Sequence, residues 1–491
     1  MSIGTREMTI GELLPGSEHG ELRVTGISAD SRRVGAGELF IALQGARHDA
    51  NAFLPEVARR GAAAALVDAA RPLPASPPLP LVPVDGLAGR AGAIAARFYG
   101  DPSRAMTLIG VTGTNGKTTC TQLIAQALSR SGTRCGVIGT LGTGFVGELQ
   151  ESTHTTPDAV MLQRLLAQMR DAGAQAVAME VSSHALAQGR VAALRFETAV
   201  FTNLTHDHLD YHGSLEAYAD AKEKLFHHPG LRRAVVSADD PMGRRILAGL
   251  PAGVEGIPCS PSGREAQLQV LSAGYDADGI RARLRTPQGE GLLAVPLIGR
   301  FNLENALLVL GVLLAHGFGL APALEALSAV RPVSGRMQRV RDAQGPLVVV
   351  DYAHTPDALE QALRALRVHC RGRLWCVFGC GGDRDRSKRP LMGRIAREHA
   401  DEVAVTSDNP RSEDPAAIIA EICAGIPDPG VIREADRRAA IFRAIGLASP
   451  ADCVLVAGKG HEDYQETAGE RRPFSDLQVA SDALAAREGR A

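Results

Sequence analysis

Short apolar runs, each closed by a small or polar turn and followed by helically spaced apolar positions, recur through most of this chain. One series comprises Thr107–Gly110, Cys135–Ile138, Ala176–Met179, Thr198–Phe201 and Ala234–Val236; a second comprises Leu347–Val350, Leu374–Phe378, Glu402–Val405 and Cys453–Ala457. Strands alternating with helices predict a mostly parallel sheet covered on both faces, and ligands of such sheets gather beyond the carboxyl ends of the strands. Ahead of these series, Glu38–Leu43 reads as a strand, the Ala-rich stretch Ala58–Leu66 as a helix, and the Pro-rich segment Arg71–Pro83 as an interruption of regular structure. At 491 residues the chain exceeds one ordinary core. Boundaries near Arg104 and Val333 give three expected domains, 1–104, 105–332 and 333–491, with no solenoid-type repeat.

Composition narrows the partners. With 53 basic and 55 acidic side chains the net charge is −2, so there is no electrostatic footprint for nucleic acid or an anionic membrane. Small-molecule substrates are expected. No stretch approaches the roughly 18 consecutive apolar residues of a membrane span, and Met1–Leu14 lacks a basic region followed by an apolar core, so the expected location is the cytoplasm. Eight cysteines without a C-x-x-C pair read as free thiols. Cys370, Cys376 and Cys380 form their only cluster, and a small buried hydrophobe is the stronger reading there than a metal ligand.

The sharpest motif is Val111-Thr112-Gly113-Thr114-Asn115-Gly116-Lys117-Thr118-Thr119, which follows an apolar run and opens a helical stretch, Thr121–Leu128. Small residues at a helix N-terminus let backbone N–H groups face phosphate oxygens, while Lys117 supplies a mobile charge and Thr118 a hydroxyl suited to Mg²⁺. ATP is the expected guest. The usual first glycine is replaced by Val111, so from Gly113 the loop reads as a shortened form.

Polar residues follow the later strand-like runs. Glu180 closes Met179-Glu180-Val181-Ser182-Ser183-His184, and His208 lies in Thr205-His206-Asp207-His208-Leu209-Asp210-Tyr211-His212. Glu180 suits Mg²⁺, a hard ion that takes oxygen ligands. On spacing alone His206, His208 and His212 fit a zinc site equally, or a plain polar loop. In Tyr218-Ala219-Asp220-Ala221-Lys222-Glu223-Lys224, neither lysine stands out. Three further turns close strands of the second series: Gly379–Arg386, Asp408-Asn409-Pro410-Arg411 and Gly458–Asp463. Arg411 offers a planar fork for a carboxylate, and three such turns in succession point to a binding crevice for an amino acid.

Together, Gly113–Thr119, Met179–His184, Asn203–His212 with Lys222, Gly335-Arg336-Met337, Asp351–Asp357, Gly379–Arg384, Asp408–Arg411 and Gly458–Glu462 closely resemble the motifs of the Mur ligases of peptidoglycan synthesis, over nearly the whole chain. The resemblance implies an α/β protein of three domains: a central ATPase-type, mostly parallel sheet, flanked by an N-terminal α/β domain that binds a UDP-sugar and a C-terminal Rossmann-like domain that binds an amino acid. It implies that ATP phosphorylates the γ-carboxylate of a D-glutamyl residue and that an amine displaces phosphate from the acyl phosphate. Catalysis is then mostly placement and charge neutralisation.

By the same resemblance, the catalytic set is Lys117, Glu180, His208 and Lys222. Lys117 contacts the transferring phosphate, while Thr118, Glu180 and His208 hold Mg²⁺. Lys222 matches a lysine carrying a CO₂-derived carbamate that binds a second Mg²⁺. ATP is expected at Gly113, Thr114, Asn115, Gly116, Lys117, Thr118 and Thr119, with distal contacts from Asn302 or Asn305, Arg336 and Asp351. The UDP-N-acetylmuramoyl dipeptide, expected between the first two domains, matches Ser31, Thr155, Thr156, Ser182, Gln188 and Arg190. After Gly45 the chain reads Ala46-Arg47-His48 where the family often has a His-Gln-like pair. The incoming amino acid matches Arg384, Asp408, Asn409, Pro410, Arg411, Gly458 and Glu462.

The Asp-Asn-Pro-Arg tetrad resembles the mark of the branch that adds meso-diaminopimelate rather than lysine. Diaminopimelate has a distal carboxylate beside its distal amine; an Arg that grips it rewards it and penalises lysine by roughly a few kcal/mol. Arg384 is the expected partner of that carboxylate and Glu462 of the ammonium. Rival readings are the lysine-adding sibling, a folylpolyglutamate synthetase-like ligase, and an ATP-binding conformational switch. A monomer that closes over ATP is expected.

Overall fold

The apolar strand Thr107–Thr112 runs between Ala176–Glu180 and Thr198–Phe201, all parallel. From there the sheet extends through Cys135–Gly139 on one side, and through Arg233–Ser237 and Glu255–Ser260 on the other. The hairpin Gly142–Phe145/Glu148–Gln150 adds antiparallel strands beyond Cys135–Gly139. The computed structural model describes residues 6–44, 50–152, 154–340, 345–428 and 430–488. It divides into two units, Met1–Cys259 with Gly311–Gly317 and Ser260–Leu310 with Phe318–Ala491. The fold is mixed α/β, built on parallel sheets.

In the first unit the strands named above are wholly buried along Cys135–Gly139 and Ala176–Glu180, as a sheet covered on both faces requires. A separate sheet nearer the N-terminus orders Ile27–Ser28, Leu39–Ile41, Ala64–Asp68 and Leu81–Val84, all parallel. Its covering helix, Leu87–Tyr99, packs on Ala159–Asp171, so Val160 and Ala167 belong to the same core as Ala91, Ile94 and Phe98. Gly92 permits the approach: a Cβ there would lie 3.1 Å from Ala193 and 3.2 Å from Ala159. Arg170 also donates to the Tyr99 carbonyl at 2.8 Å.

Two expectations for this region fail. Ala58–Leu66 is not one helix: the helix Leu54–Arg59 ends before Gly61, at φ +85°, and Ala64–Asp68 is an interior strand. Alanine's helix propensity is worth tenths of a kcal/mol per residue and yields to pairing on both edges. The Pro-rich segment does not run unbroken to Pro83, because Leu81–Val84 is a strand. As the edge of its sheet it tolerates an exposed proline that cannot donate outward.

The second unit begins with an antiparallel meander, Leu268–Asp276, Gly279–Thr286 and Gly289–Val295, where alternation of strands with helices was expected. The sheet after it orders Gln338–Val340, Leu347–Asp351, Cys453–Ala457, Leu374–Phe378, Glu402–Val405 and Ile432–Arg433; all but the first are parallel. Val349, Cys376, Phe378 and Leu455 pack under helices Pro356–Arg367, Lys388–His399 and Pro415–Cys423. Val348, Val350, Trp375 and Val454 pack on the other face, under Arg437–Leu447 and Asp476–Glu488. That period-2 division is the sequence signature of a doubly covered sheet. His369 ties the meander to this body: its Nε2 accepts from the Gly299 amide at 2.9 Å and its Nδ1 donates to the Asp276 carbonyl at 2.7 Å.

Candidate active site

Gly113 follows Thr107–Thr112 at φ +147°, where a Cβ would lie 1.9 Å from Thr202 Oγ1 and 3.1 Å from the Asn203 backbone. Only glycine lets the two segments meet so closely. The loop is then tied down by Asn203, whose carbonyl accepts from the Thr114 amide at 2.8 Å and whose Oδ1 accepts from the Asn115 amide at 3.0 Å. Gly116, at φ +85°, turns the chain into the helix Lys117–Arg130. Its first turn is thus set for an anion.

Lys117 Nζ folds back onto the carbonyls of Gly113 (2.9 Å) and Thr114 (2.8 Å). Lys222, nearly inaccessible to solvent, donates to the same Gly113 carbonyl at 2.7 Å and lies 4.4 Å from the centre of the Tyr218 ring, one helical turn earlier. Burial pushes the pKa of Lys222 well down, and the charge of Lys117 pushes it further. Lys224 is exposed. Tyr218 also meets Thr114, hydroxyl to hydroxyl, at 3.2 Å.

Glu180, at the end of its strand, is 1% exposed. Thr118 Oγ1 donates to its Oε2 at 3.0 Å, and Thr140 donates from its amide to Oε1 at 2.8 Å and from its hydroxyl to Oε2 at 3.2 Å. A hydroxyl and a carboxylate held together at the loop form a donor set of hard oxygens that fits Mg²⁺. His208 sits at φ +53°, half exposed, with Nε2 3.4 Å from Asp207. Its ring centre lies 4.8 Å from that of His184, and burial together with the His208 and His212 imidazoles lowers the pKa of His184. His212 Nε2 is 3.0 Å from Ser183 Oγ. Among the described residues no three His, Cys, Asp or Glu side chains gather as a metal site, so neither the three-histidine nor the three-cysteine alternative forms.

From Glu180 a continuous chain of polar contacts runs outward. Thr156 Oγ1 donates to the Glu180 carbonyl at 2.9 Å and accepts from the Ser182 amide at 3.1 Å. Arg190 reaches the Thr156 carbonyl (2.7 Å) and Gln188 Oε1 (2.8 Å), and Gln188 reaches Tyr211 (3.1 Å). Thr155 pairs with Thr140 at 3.0 Å, and Ser182 caps the next short helix. Ser31 is buried in the N-terminal lobe, outside this chain of contacts. The Ala46–His48 stretch lies outside the described residues.

In the second unit, Asp351 closes its strand and accepts from the amides of Met337 (2.7 Å) and Ala353 (2.9 Å), which fixes the Gly335–Met337 turn. Burial raises its pKa, against the pull of Arg336. Arg336 lies over the Tyr352 ring at 5.2 Å, and its Nε is buried without a partner among the described residues, a donor suited to a ligand. Asn302 and Asn305 are buried and paired, Nδ2 of Asn305 donating to Oδ1 of Asn302 at 2.9 Å.

The amino-acid set is also in this unit. Asn409 accepts from the Gly382 amide at 2.9 Å through its carbonyl, and Arg411, at φ +53°, donates to the Gly382 carbonyl at 2.8 Å. Pro410 fills the turn between them; the Gly382 α-carbon packs against it so closely that a Cβ would lie 1.9 Å from its carbonyl oxygen. Gly458, at φ +123°, abuts buried Asp408: a Cβ would lie 2.3 Å from Asp408 Oδ2. Glu462 Oε2 accepts from Asn409 Nδ2 at 2.9 Å. Arg384 is exposed, with no hydrogen bond or ion pair to any described residue.

Asn203 falls where its place after a strand-like run predicts, beside the phosphate loop, whereas Thr140 and Tyr218 are site residues that the sequence reading does not single out. Both carried a signal: Thr140 follows an apolar run, as Glu180 ends one, and Tyr218 precedes Lys222 by four residues.

Comparison with known proteins follows the same outline. Residues 23–99 match the Mur ligase family catalytic domain, 111–313 the Mur ligase middle domain, and 335–460 the Mur ligase glutamate ligase domain. The UDP-N-acetylmuramoyl-L-alanyl-D-glutamate–2,6-diaminopimelate ligase of Ectopseudomonas mendocina is 55% identical, covering 98% of this chain and 99% of its own. Its counterpart of the same name in Pseudomonas aeruginosa is 54% identical with the same coverage. A solved structure of a ligase with that name superposes with a TM-score of 0.75 at 37% identity, over 99% of this chain and 100% of its own. The chain belongs to the Mur ligase family.

Proposed function

We propose that this chain is an ATP-dependent ligase that joins meso-diaminopimelate to UDP-N-acetylmuramoyl-L-alanyl-D-glutamate through an acyl phosphate, yielding the nucleotide-linked tripeptide precursor of peptidoglycan. The observation that carries this reading is the Thr118–Glu180 contact at the mouth of a phosphate-binding loop. A hydroxyl and a carboxylate held together at a helix N-terminus support metal-assisted binding of a nucleotide's phosphates there. Near-full-length identity to ligases of that name supplies the substrates.

In this reading the amides of Gly113–Thr119 cradle the phosphates, and Lys117 swings from its carbonyl partners to the transferring phosphoryl group. Thr118, Glu180 and His208 would hold Mg²⁺, which neutralises phosphate charge when bound. Lys222, buried and with a lowered pKa, suits carbamate formation because CO₂ adds to a neutral amine. Thr155, Thr156, Ser182, Gln188 and Arg190 position the muramoyl dipeptide, with Ser31 on the uridine side. Arg336, Asp351, Asn302 and Asn305 serve the distal part of ATP. Arg384, Asp408–Arg411, Gly458 and Glu462 receive diaminopimelate and orient its attacking amine. The working division is 1–104, 105–332 and 333–491, in a cytoplasmic monomer.

The test is phosphate release from ATP and Mg²⁺ with the muramoyl dipeptide nucleotide, run in parallel with diaminopimelate and with lysine. Release that depends on diaminopimelate and is at least about tenfold slower with lysine is expected. Equal rates would refute the branch assignment. ATP binding without amine-dependent release would leave a conformational switch.

A further inference from the structure

Two of the residues assigned above to the amino acid, Asn409 and Glu462, are bridged by a lysine to which no role has been given. Lys459 is fully buried. Its Nζ donates to Asn409 Oδ1 at 2.9 Å and to Glu462 Oε2 at 3.2 Å, while Asn409 Nδ2 donates to that same Glu462 oxygen at 2.9 Å. The triangle is closed on a third side by the Glu466 amide, which donates to Asn409 Oδ1 at 3.0 Å. The ring of Tyr464 lies 5.4 Å from the ammonium.

The charge around this triangle is unevenly shared. Arg437, also buried, is fully engaged: its guanidinium forms a two-bond pair with Asp476 at 2.7 and 2.6 Å and donates to the carbonyls of Ser407 and Ala457. Asp408 and Glu462 are the acidic groups beside it, and Lys459, ion-paired with Glu462 at 3.2 Å, is the second buried cation among them. Burial raises the pKa of Asp408, and Arg437 and Lys459 both act to lower it. A buried ammonium beside two carboxylates acts at low effective dielectric, so it sets the potential felt by any charged guest of these turns.

We propose that Lys459 is a specificity-determining positioning residue, whose ammonium locks Asn409 and Glu462 together and trims the negative charge of the amine-binding turns, so that a net-neutral diamino dicarboxylic acid is favoured over net-cationic lysine. The inference rests on the ligase reading given above. Diaminopimelate carries two carboxylates against two ammonium groups; lysine lacks the distal carboxylate and keeps a positive charge. Removing Lys459 leaves the turns more negative, which favours the cation and disfavours the added carboxylate. It also leaves Asn409 without one of its two Oδ1 donors, so the surface presented to substrate loosens.

The experiment compares wild type with Lys459→Met, Lys459→Gln and Lys459→Arg, measuring kcat and KM for diaminopimelate and for lysine at saturating ATP and muramoyl dipeptide nucleotide. Met and Gln should raise KM for diaminopimelate more than they lower kcat, and cut the diaminopimelate-to-lysine ratio of kcat/KM by about tenfold or more. Arg should keep that ratio within about threefold. Should Lys459→Met fail to fold, Lys459→Gln, which keeps a donor without the charge, decides. A Gln variant with an unchanged ratio, or with both substrates weakened equally, overturns the inference alone. Absence of diaminopimelate turnover in wild type overturns the ligase reading and this inference with it.

Discussion

Lys117 and Lys222 donate to one carbonyl oxygen, that of Gly113, at 2.9 and 2.7 Å. Two cationic side chains on one acceptor repel each other, and the buried member, Lys222, is the one whose charge is suppressed. In the proposed reading, a guest that brings negative charge frees Lys117 from its backbone partners.

Lys222→Ala should lose activity by about a hundredfold or more, since it removes a buried group at the proposed phosphoryl-transfer site. If carbamylation matters, short carboxylic acids added to the assay should restore part of the loss. Lys224→Ala, on the exposed side of the same segment, should remain within about twofold of wild type. Similar losses in both variants would remove the proposed role of Lys222.

Thr118→Val tests the hydroxyl–carboxylate pair. Glu180 keeps its two Thr140 donors, so stability should fall by only about 1 kcal/mol. The rate should fall by about a hundredfold and the Mg²⁺ concentration for half-maximal activity should rise. Unchanged Mg²⁺ dependence would separate Thr118 from metal binding.

Arg437 and Asp476 form an ion pair at 2.6 Å with both side chains wholly buried in the second unit. Asp476→Asn leaves a buried guanidinium without its charge partner and should cost about 3–5 kcal/mol in urea unfolding. Replacing both by apolar residues, Arg437→Met with Asp476→Leu, should cost less than the single change. A double variant less stable than Asp476→Asn alone would contradict this.

His369 links pH to stability. Burial lowers its pKa below the ordinary 6.5, with the Asp276 carbonyl and carboxylate acting the other way. Because Nε2 must stay unprotonated to accept from Gly299, the folded state resists the proton that the unfolded chain accepts. Stability is therefore undiminished above the unfolded value and falls as pH drops through about 6.5. His369→Asn should be less stable at pH 8, by about 1–2 kcal/mol, yet show a shallower loss of Tm between pH 8 and 5. A slope equal to wild type would assign the acid sensitivity to other histidines.

How far the fold could be read in advance depended on the range of the forces that decide each element. The runs at Cys135, Ala176, Thr198, Leu374 and Cys453 became strands because a strand buried on both faces must be apolar throughout, a local requirement. The meander was also visible locally, in Ile280-Arg281-Ala282-Arg283-Leu284, whose alternation is the mark of a strand with one wet face. In the sequence reading that local signal is overridden by the βαβ rhythm around it, which leads to an expectation of strands alternating with helices. Ala64–Asp68 was not visible, because its strand conformation is imposed by neighbours distant in sequence.

The same division holds at the site. The order of residues along the chain determined the loop chemistry: glycines where the backbone must turn tightly or approach closely, a lysine and a threonine at a helix start, and carboxylates, amides and guanidiniums after strand ends. These are short-range stereochemical demands, and spacing expresses them. Only tertiary structure decided which of two lysines two residues apart is buried: Lys222 turns under Tyr218 to Gly113, and Lys224 faces solvent. It also decided that Thr140 shares Glu180 with Thr118, and that Lys459 joins Asn409 to Glu462 across about fifty residues of chain. Burial and long-range hydrogen bonding depend on which surfaces meet, and sequence spacing carries no record of that.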